Sequence, residues 1–277
     1  MKKIVLPNVT EYIDRFFDFM NEKVGQKVMN MFESFGRCGL RALDVLAVLS
    51  VVAAVVFAVR FETGVLFALI FAFIGVLGCV LLQYAATKML PALNTLVKNA
   101  PTKLSSAVFL KVLALFAGVG GLIALAFGVL IWTGSSEYVD PTAADVNAVV
   151  LGCFAAFVAC EFWMFLFLKP EELSVEVVEK TSVGEEFIGL TSYFAKGCLK
   201  LTPVVFGLTV LLAVVWLVVM MFSPIESIFG QLFVLVYLGV MALLPFFMYA
   251  AFLSYYLTLD ILTAVLSLPA KLDKIKE

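Results

Sequence analysis

The sequence predicts an all-α integral membrane protein with six transmembrane helices arranged as three hairpins. Of its 277 residues, 63% are hydrophobic and 14% are charged, whereas soluble chains average roughly 45–50% apolar and about 25% charged residues. The apolar residues are gathered into long uncharged runs, and the basic residues fall at alternate ends of these runs. These three observations predict the fold class.

A helix needs about 20 apolar residues to cross the hydrocarbon core of a bilayer. Six segments meet this length, and Asp44 at the start of the first is expected at the interface. The predicted spans are 43–60, 64–87, 106–132, 144–168, 203–222 and 231–257.

Lysine and arginine predict the orientation of the spans. Every basic residue except Arg60 falls in the N-terminal segment, after span two, after span four or at the C-terminus. Because cytoplasmic loops carry the excess of Lys and Arg, we expect both termini in the cytoplasm. The predicted location is the cell membrane.

The chain divides into five segments, in which cytoplasmic amphipathic helices alternate with hairpins. A parallel internal repeat relates the first and last hairpins, because Phe35 and Arg37 match Phe194 and Lys196 at an offset of 159 residues. Whether the middle hairpin is a third copy stays open. The predicted segments are 1–42 (amphipathic helix), 43–104 (hairpin 1), 105–170 (hairpin 2), 171–202 (amphipathic segment) and 203–277 (hairpin 3).

Residues 8–36 predict one long amphipathic helix, since apolar residues recur every three or four positions. Asn8 and Glu11 have the spacing of a capping box. The face expected to make interactions consists of Tyr12, Phe16, Met20, Met31, Phe32 and Phe35. Acidic residues nearly match basic ones, so two alternatives stay open: the face contacts protein, or it lies in the lipid interface.

A second amphipathic helix is predicted at 182–200, again beginning with a capping box, Ser182 and Glu185. Its inner face is predicted to be Phe187, Ile188, Thr191, Phe194, Cys198 and Leu199.

Small residues recur at helical spacing in two spans. They are Gly64, Ala68, Ala72, Gly75 and Cys79 in span two, and Ala114, Gly118, Gly121 and Gly128 in span three. Such faces let helix backbones approach closely in lipid, so we expect them to pack within the bundle. A dimerisation face or a pore lining is the alternative.

Two ionisable residues, Lys111 and Glu161, lie inside predicted spans three and four. An unpaired charge in the bilayer is costly, so an ion pair that staples these antiparallel spans is the first interpretation. Snorkelling of Lys111 toward the interface and a proton or substrate site are the alternatives. Pro245 interrupts span six and predicts a kink, which is also a hinge candidate.

Several chemistries are excluded. The chain has no histidine, no Cys pair at CxxC spacing and no phosphate-binding glycine loop, so we predict no catalytic residue, no metal site, no cofactor and no enzyme activity. A net charge of −2 argues against nucleic acid as a partner. A run of glutamates over 171–186 is read as a solvated face.

These features lead to two functional hypotheses. The first is a non-enzymatic multi-pass membrane subunit or scaffold, which assembles with itself or with a partner complex through its amphipathic helices. The alternative is a small-solute, ion or lipid transporter that uses Lys111, Glu161 and the Pro245 kink. The expected partners are membrane lipids and either further copies of the chain or a larger membrane complex.

Overall fold

The structure is a computed structural model, which describes residues 9–20, 26–62, 64–134, 143–179, 183–224 and 228–276. Within these residues it is almost entirely helical. The helices are α1 Val9–Phe19, α2 Gln26–Arg60, α3 Gly64–Asn99, α4 Ala107–Trp132, α5 Ala143–Leu168, α6 Val183–Phe222, α7 Ile228–Ala242 and α8 Leu244–Lys276. A short 3₁₀ turn at Pro170–Leu173 and two three-residue strands, β1 Thr102–Leu104 and β2 Val175–Val177, complete the described elements.

Five of the described helices, α2 to α6, are long and apolar enough to cross a membrane, and α7 with α8 makes a sixth if this bent pair is one span. The architecture is consistent with the predicted all-α multi-pass membrane protein. Predicted and observed helix ends agree closely at Arg60, Gly64, Trp132, Leu168 and Phe222, because the apolar runs stop there.

Helices α2, α3 and α6 are much longer than the predicted spans. Residues 26–36 of the predicted helix 8–36 are continuous with span one in α2, and residues 183–200 are likewise continuous with span five in α6. The predicted caps Asn8 and Ser182 lie outside the described residues, as do residues 21–25 between α1 and α2.

The chain forms two compact units, of which unit 1 comprises residues 1–31 and 97–197. Its centre is the antiparallel pair α4–α5, where the predicted small face of span three is packed. A β-carbon added to Gly118 would lie 2.7 Å from the Met164 sulfur, and one added to Gly128 would lie 2.9 Å from the Cys153 β-carbon. These glycines therefore allow close packing, as expected.

Unit 1 also contains a feature that the sequence did not predict, a parallel pairing of β1 with β2. Beside it, the Glu186 carboxylate binds the start of α4. It accepts hydrogen bonds from the backbone N–H groups of Ser105 (2.7 Å) and Ser106 (3.0 Å) and from both serine hydroxyls. A carboxylate at a helix N-terminus pairs unsatisfied N–H groups and opposes the positive end of the helix dipole.

Unit 2 comprises residues 32–96 and 198–277, and α2 and α6 touch at backbone level within it. A β-carbon added to Gly207 would lie 2.1 Å from the Phe35 carbonyl oxygen, and one added to Gly39 would lie 2.7 Å from the Gly207 α-carbon. Further along, Ala53 and Phe57 form a buried cluster with three α6 residues, Leu217, Met220 and Met221.

Arg60 closes the far end of this helix pair. Its guanidinium donates hydrogen bonds to the carbonyl oxygens of Met221 (2.7 Å) and Ser223 (2.6 Å). A cation on the last carbonyls of a helix satisfies acceptors that have no intrahelical partner.

Candidate functional site

Unit 2 contains an apolar cavity of about 230 Å³ between four of its helices. Its wall comes from α2, α3, α6 and α7. The residues that line it are Leu43, Leu46, Ser50, Ala53, Phe71, Ile74, Gly75, Gly78, Cys79, Leu82, Val210, Ala213, Leu217, Leu235, Leu238, Gly239 and Ala242. Ser50 is the only hydroxyl among them, and it donates its proton to the Ala47 carbonyl at 2.7 Å.

The glycines around this apolar cavity behave in two different ways. A β-carbon added to Gly75 would lie 2.8 Å from the Ser50 β-carbon, so Gly75 packs against α2. Gly78 and Gly239 have no heavy atom within 4 Å of the position of an added β-carbon. These two glycines therefore leave space rather than allow helix contact, and the space belongs to the cavity.

A second cavity of about 400 Å³, the polar cavity, is lined by three of these four helices, α2, α3 and α6. Its lining is Glu33, Gly36, Arg37, Leu40, Ala86, Thr87, Leu90, Pro91, Asn94 and Pro203. The Lys200 ammonium donates a hydrogen bond to the Glu33 carboxylate and forms an ion pair with it, with an Nζ–Oε1 distance of 3.2 Å.

Span six is bent beside the apolar cavity. The axes of α7 and α8 differ by 42° across Leu243, two residues before Pro245, so the kink expected from this proline is present. Pro245 has no backbone N–H. It lies in the first turn of α8, where a backbone N–H would have no intrahelical acceptor. Ala242, the last residue of α7, lines the cavity. That this bend is a hinge stays a prediction.

In unit 1, part of the predicted interaction face lies against the α4–α5 pair. Tyr12, Phe16 and Met20 line a cavity of about 450 Å³ together with α4, α5 and Glu161. Phe17, which was not assigned to that face, is buried, whereas Tyr12 and Phe16 remain 63% and 54% exposed. That this face of α1 binds protein stays a prediction.

The remaining members of the predicted interaction face differ in burial. Phe32 is buried, Phe35 is half-buried and Met31 is exposed. The face is therefore not one continuous surface.

Lys111 and Glu161 lie at different levels of the α4–α5 pair. A Glu161 carboxylate oxygen lies 2.9 Å from where a β-carbon on Gly121 would be. Gly121 follows Lys111 by ten residues, which is about 15 Å along a helix axis. Gly118 lies against Met164 in the same antiparallel register, so Lys111 is level with the end of α5. The ion pair stays a prediction, and this offset sets its test.

The N-terminal part of α6 buries a face that the sequence analysis did not predict. Phe187, Thr191, Phe194 and Cys198 are exposed, whereas Ser192, Tyr193 and Lys196 are fully buried. The predicted inner face is therefore wrong for these four exposed residues, whereas Leu199 is buried and Ile188 is half-buried. The helix turns these residues inward because Gly189 lies against the Lys103 carbonyl of β1 and Gly197 against the Trp163 ring.

Lys196 is a buried cation with only neutral partners among the described residues. Its ammonium donates to Thr102 Oγ1 at 3.0 Å and to the Ser174 carbonyl at 3.4 Å. Burial lowers the pKa of Lys196 to about 8. The neighbouring Tyr193 ring stacks on Phe167 at 5.7 Å. Its hydroxyl has no hydrogen-bond partner in the described part of the chain, so the same desolvation raises the pKa of this phenol.

The residues that could do chemistry are few. Among the described residues no group of three His, Cys, Asp or Glu side chains is close enough to hold a metal ion. The sequence analysis missed Arg37, Gly78, Gly239 and Lys196. A helical stripe of small residues was the available signal for Gly78; nothing in the local sequence distinguishes the buried Lys196 from an exposed lysine.

We predict that the free energy of unfolding increases by about 2 kcal/mol as the pH rises from 8 to 10.5. In this interval the folded chain has released the Lys196 proton that the unfolded chain still binds, because the pKa of Lys196 in the folded chain is about 8. Stability rises with pH wherever the unfolded state binds more protons. Thermal unfolding in detergent measures the effect. Lys196→Met should lose this component, while Lys98→Met, at an exposed position, should keep it. An unchanged slope in Lys196→Met would contradict the prediction.

The axial offset also predicts that Lys111→Met and Glu161→Gln have additive effects on stability, within about 0.5 kcal/mol. A direct ion pair would instead give a clear coupling energy. Thermal unfolding of both single variants and the double variant decides between additive effects and an ion pair. A coupling energy above about 1 kcal/mol would contradict additivity and support the ion pair.

The chain was compared with known families, curated proteins and solved structures. No family model, no curated protein and no solved structure matches it.

Proposed function

We propose that this protein is a multi-pass membrane transporter that binds a lipid acyl chain between the helices of unit 2. The observation that carries the proposal is the pair of open glycines, Gly78 and Gly239, on the wall of one apolar cavity. An apolar cavity of this size stays dry and accepts apolar molecules. Within a bilayer, the apolar group present at the highest concentration is the lipid chain.

Three features support a transport role over a purely structural one. The apolar cavity and the polar cavity share three lining helices, α2, α3 and α6. The bend between α7 and α8 follows Ala242 directly, so a change in this bend alters the cavity wall. The proposed parallel repeat supplies α2–α3 and α6–α7/α8 as its two copies, and repeat interfaces are the usual place for transporter sites. Both termini are proposed to lie in the cytoplasm of a cell-membrane protein.

Filling the apolar cavity should abolish acyl-chain binding. We expect Gly78→Leu with Gly239→Leu to reduce photolabelling by a phosphatidylcholine with a diazirine in its acyl chain. The loss should be at least about tenfold at the lining residues of the cavity peptides 74–82 and 235–242, such as Cys79, Leu82 and Leu238. Gly152→Leu is the matched control, because Gly152 also faces open space but lies in unit 1. Labelling of the exposed residues Phe73 and Leu77 should persist in every variant and reports the lipid surroundings.

Equal labelling of the cavity peptides in wild type and the filled variant would contradict the binding site. Translocation of a fluorescent phosphatidylcholine in proteoliposomes then tests transport itself. The filled variant should fall to the rate of protein-free vesicles, with Gly152→Leu at the wild-type rate.

A second candidate, the scaffold that assembles through amphipathic helices, is favoured by one observation. Tyr12, Phe16 and Phe19 on α1 are each more than half exposed, so α1 has apolar surface that its own unit does not cover. We expect an oligomer or a hetero-complex in native mass measurements in mild detergent. Cross-links through Cys38 and Cys198, both exposed, should accompany it, and a monomer without such cross-links would exclude this candidate.

A further inference from the structure

The linings of the apolar cavity and the polar cavity follow one another along three helices of unit 2. On α2 the lining residues follow one face without a gap, from Glu33, Arg37 and Leu40 of the polar cavity to Leu43 and Ala53 of the apolar one. The two linings are thus one helical turn apart.

On α3 the two linings also succeed one another, whereas on α6 they are two turns apart. On α3, Gly78 and Leu82 of the apolar cavity are followed by Ala86 and Leu90 of the polar cavity. On α6, Pro203 lines the polar cavity and Val210 the apolar one, two turns further on.

The lengths of the two parts match the halves of an amphiphile. From Leu43 to Ala53 is ten residues, or about 15 Å along the helix axis, which is half of the roughly 30 Å hydrocarbon core. The apolar part is therefore as long as one leaflet. Arg37 lies six residues before Leu43, about 9 Å further along the axis, where a headgroup would be.

The two charged residues that line the polar cavity differ in their partners. Glu33 is held by Lys200 at 3.2 Å, whereas Arg37 makes no hydrogen bond or ion pair with any residue that the structure describes. An arginine guanidinium binds phosphate and carboxylate through paired, charge-assisted hydrogen bonds.

Neutral hydrogen-bonding groups line the same cavity as Arg37. Asn94 offers an amide, and Thr87 has already donated its hydroxyl proton to the Gln83 carbonyl at 2.7 Å, so its oxygen is left as an acceptor. Beside the junction of the two cavities, Gln83 donates to the Asp44 carboxylate at 2.8 Å and joins α2 to α3. The polar cavity therefore offers a cation, a donor and an acceptor.

We infer that the ligand of unit 2 is an anionic amphiphilic lipid, with its headgroup on Arg37 and its acyl chain in the apolar cavity. This inference rests on the proposed function, since it specifies the headgroup of the lipid whose chain fills the cavity. Because Lys200 pairs with Glu33, the charge of Arg37 favours an anionic headgroup over a zwitterionic one. Arg37 thereby gives the site a preference for anionic lipids, which the apolar cavity alone does not have.

The test compares two photoactivatable lipids with identical diazirine-bearing chains, phosphatidylglycerol and phosphatidylcholine, in detergent-solubilised full-length protein. We expect phosphatidylglycerol to label the cavity peptides about tenfold more strongly at equal concentration, the change given by about 1.4 kcal/mol. Arg37→Gln should remove this preference and leave labelling by phosphatidylcholine unchanged, which also shows that the variant is folded. Arg41→Gln, an exposed arginine on the same helix that lines neither cavity, should keep the preference.

The outcomes separate this inference from the proposed function. Equal labelling of wild type by both lipids overturns the inference and leaves acyl-chain binding intact. Equal losses of preference in Arg37→Gln and Arg41→Gln also overturn it, because general attraction of anionic lipid to basic residues then explains the result. Absence of cavity labelling by either lipid overturns the proposed function and the inference together.

Discussion

The close approach of α2 and α6 is the contact on which the rest of unit 2 depends. Gly39 meets Gly207, and Pro203 lies 3.0 Å from the position of a β-carbon on Gly36. In lipid there is no hydrophobic driving force between apolar helices, so their association depends on close van der Waals packing and hydrogen bonds. The same helices meet again at the cluster around Ala53 and Leu217. The apolar cavity lies along the stretch between these contacts, where α3 and α7 supply the remaining walls.

Much of the helical framework could be predicted from the sequence because it depends on local composition. A long apolar run must be helical in a bilayer, and the runs end at residues such as Arg60 and Leu168, where the structure also ends its helices. The inner face of residues 182–200 could not be predicted in this way. Helical spacing places apolar residues inward, but here Gly189 and Gly197 fit against β1 and Trp163, which turns Lys196 inward and leaves Phe187 exposed.

The candidate site was only partly accessible to sequence reasoning. The small residues identified in span two did not include Gly78, and spacing alone cannot distinguish Gly75, which packs on Ser50, from Gly78, which faces a cavity. The difference arises from α2 and α7, elements distant in sequence. Arg37 and Glu33 likewise lie on one face of the same helix, and the local sequence does not indicate which of the two is paired. Only Lys200, 167 residues away, pairs with Glu33 and makes Arg37 the available charge.

Arg60 has a consequence for how the chain is assembled during synthesis. The carbonyl groups that accept its hydrogen bonds belong to Met221 and Ser223, which follow it by 161 and 163 residues. When the first hairpin leaves the ribosome, those acceptors do not yet exist, and the guanidinium must be held by water, headgroups or the insertion machinery. The first hairpin is thus inserted early but completed late. Any truncation before α6 ends removes the two carbonyl groups that hold Arg60 in the complete chain.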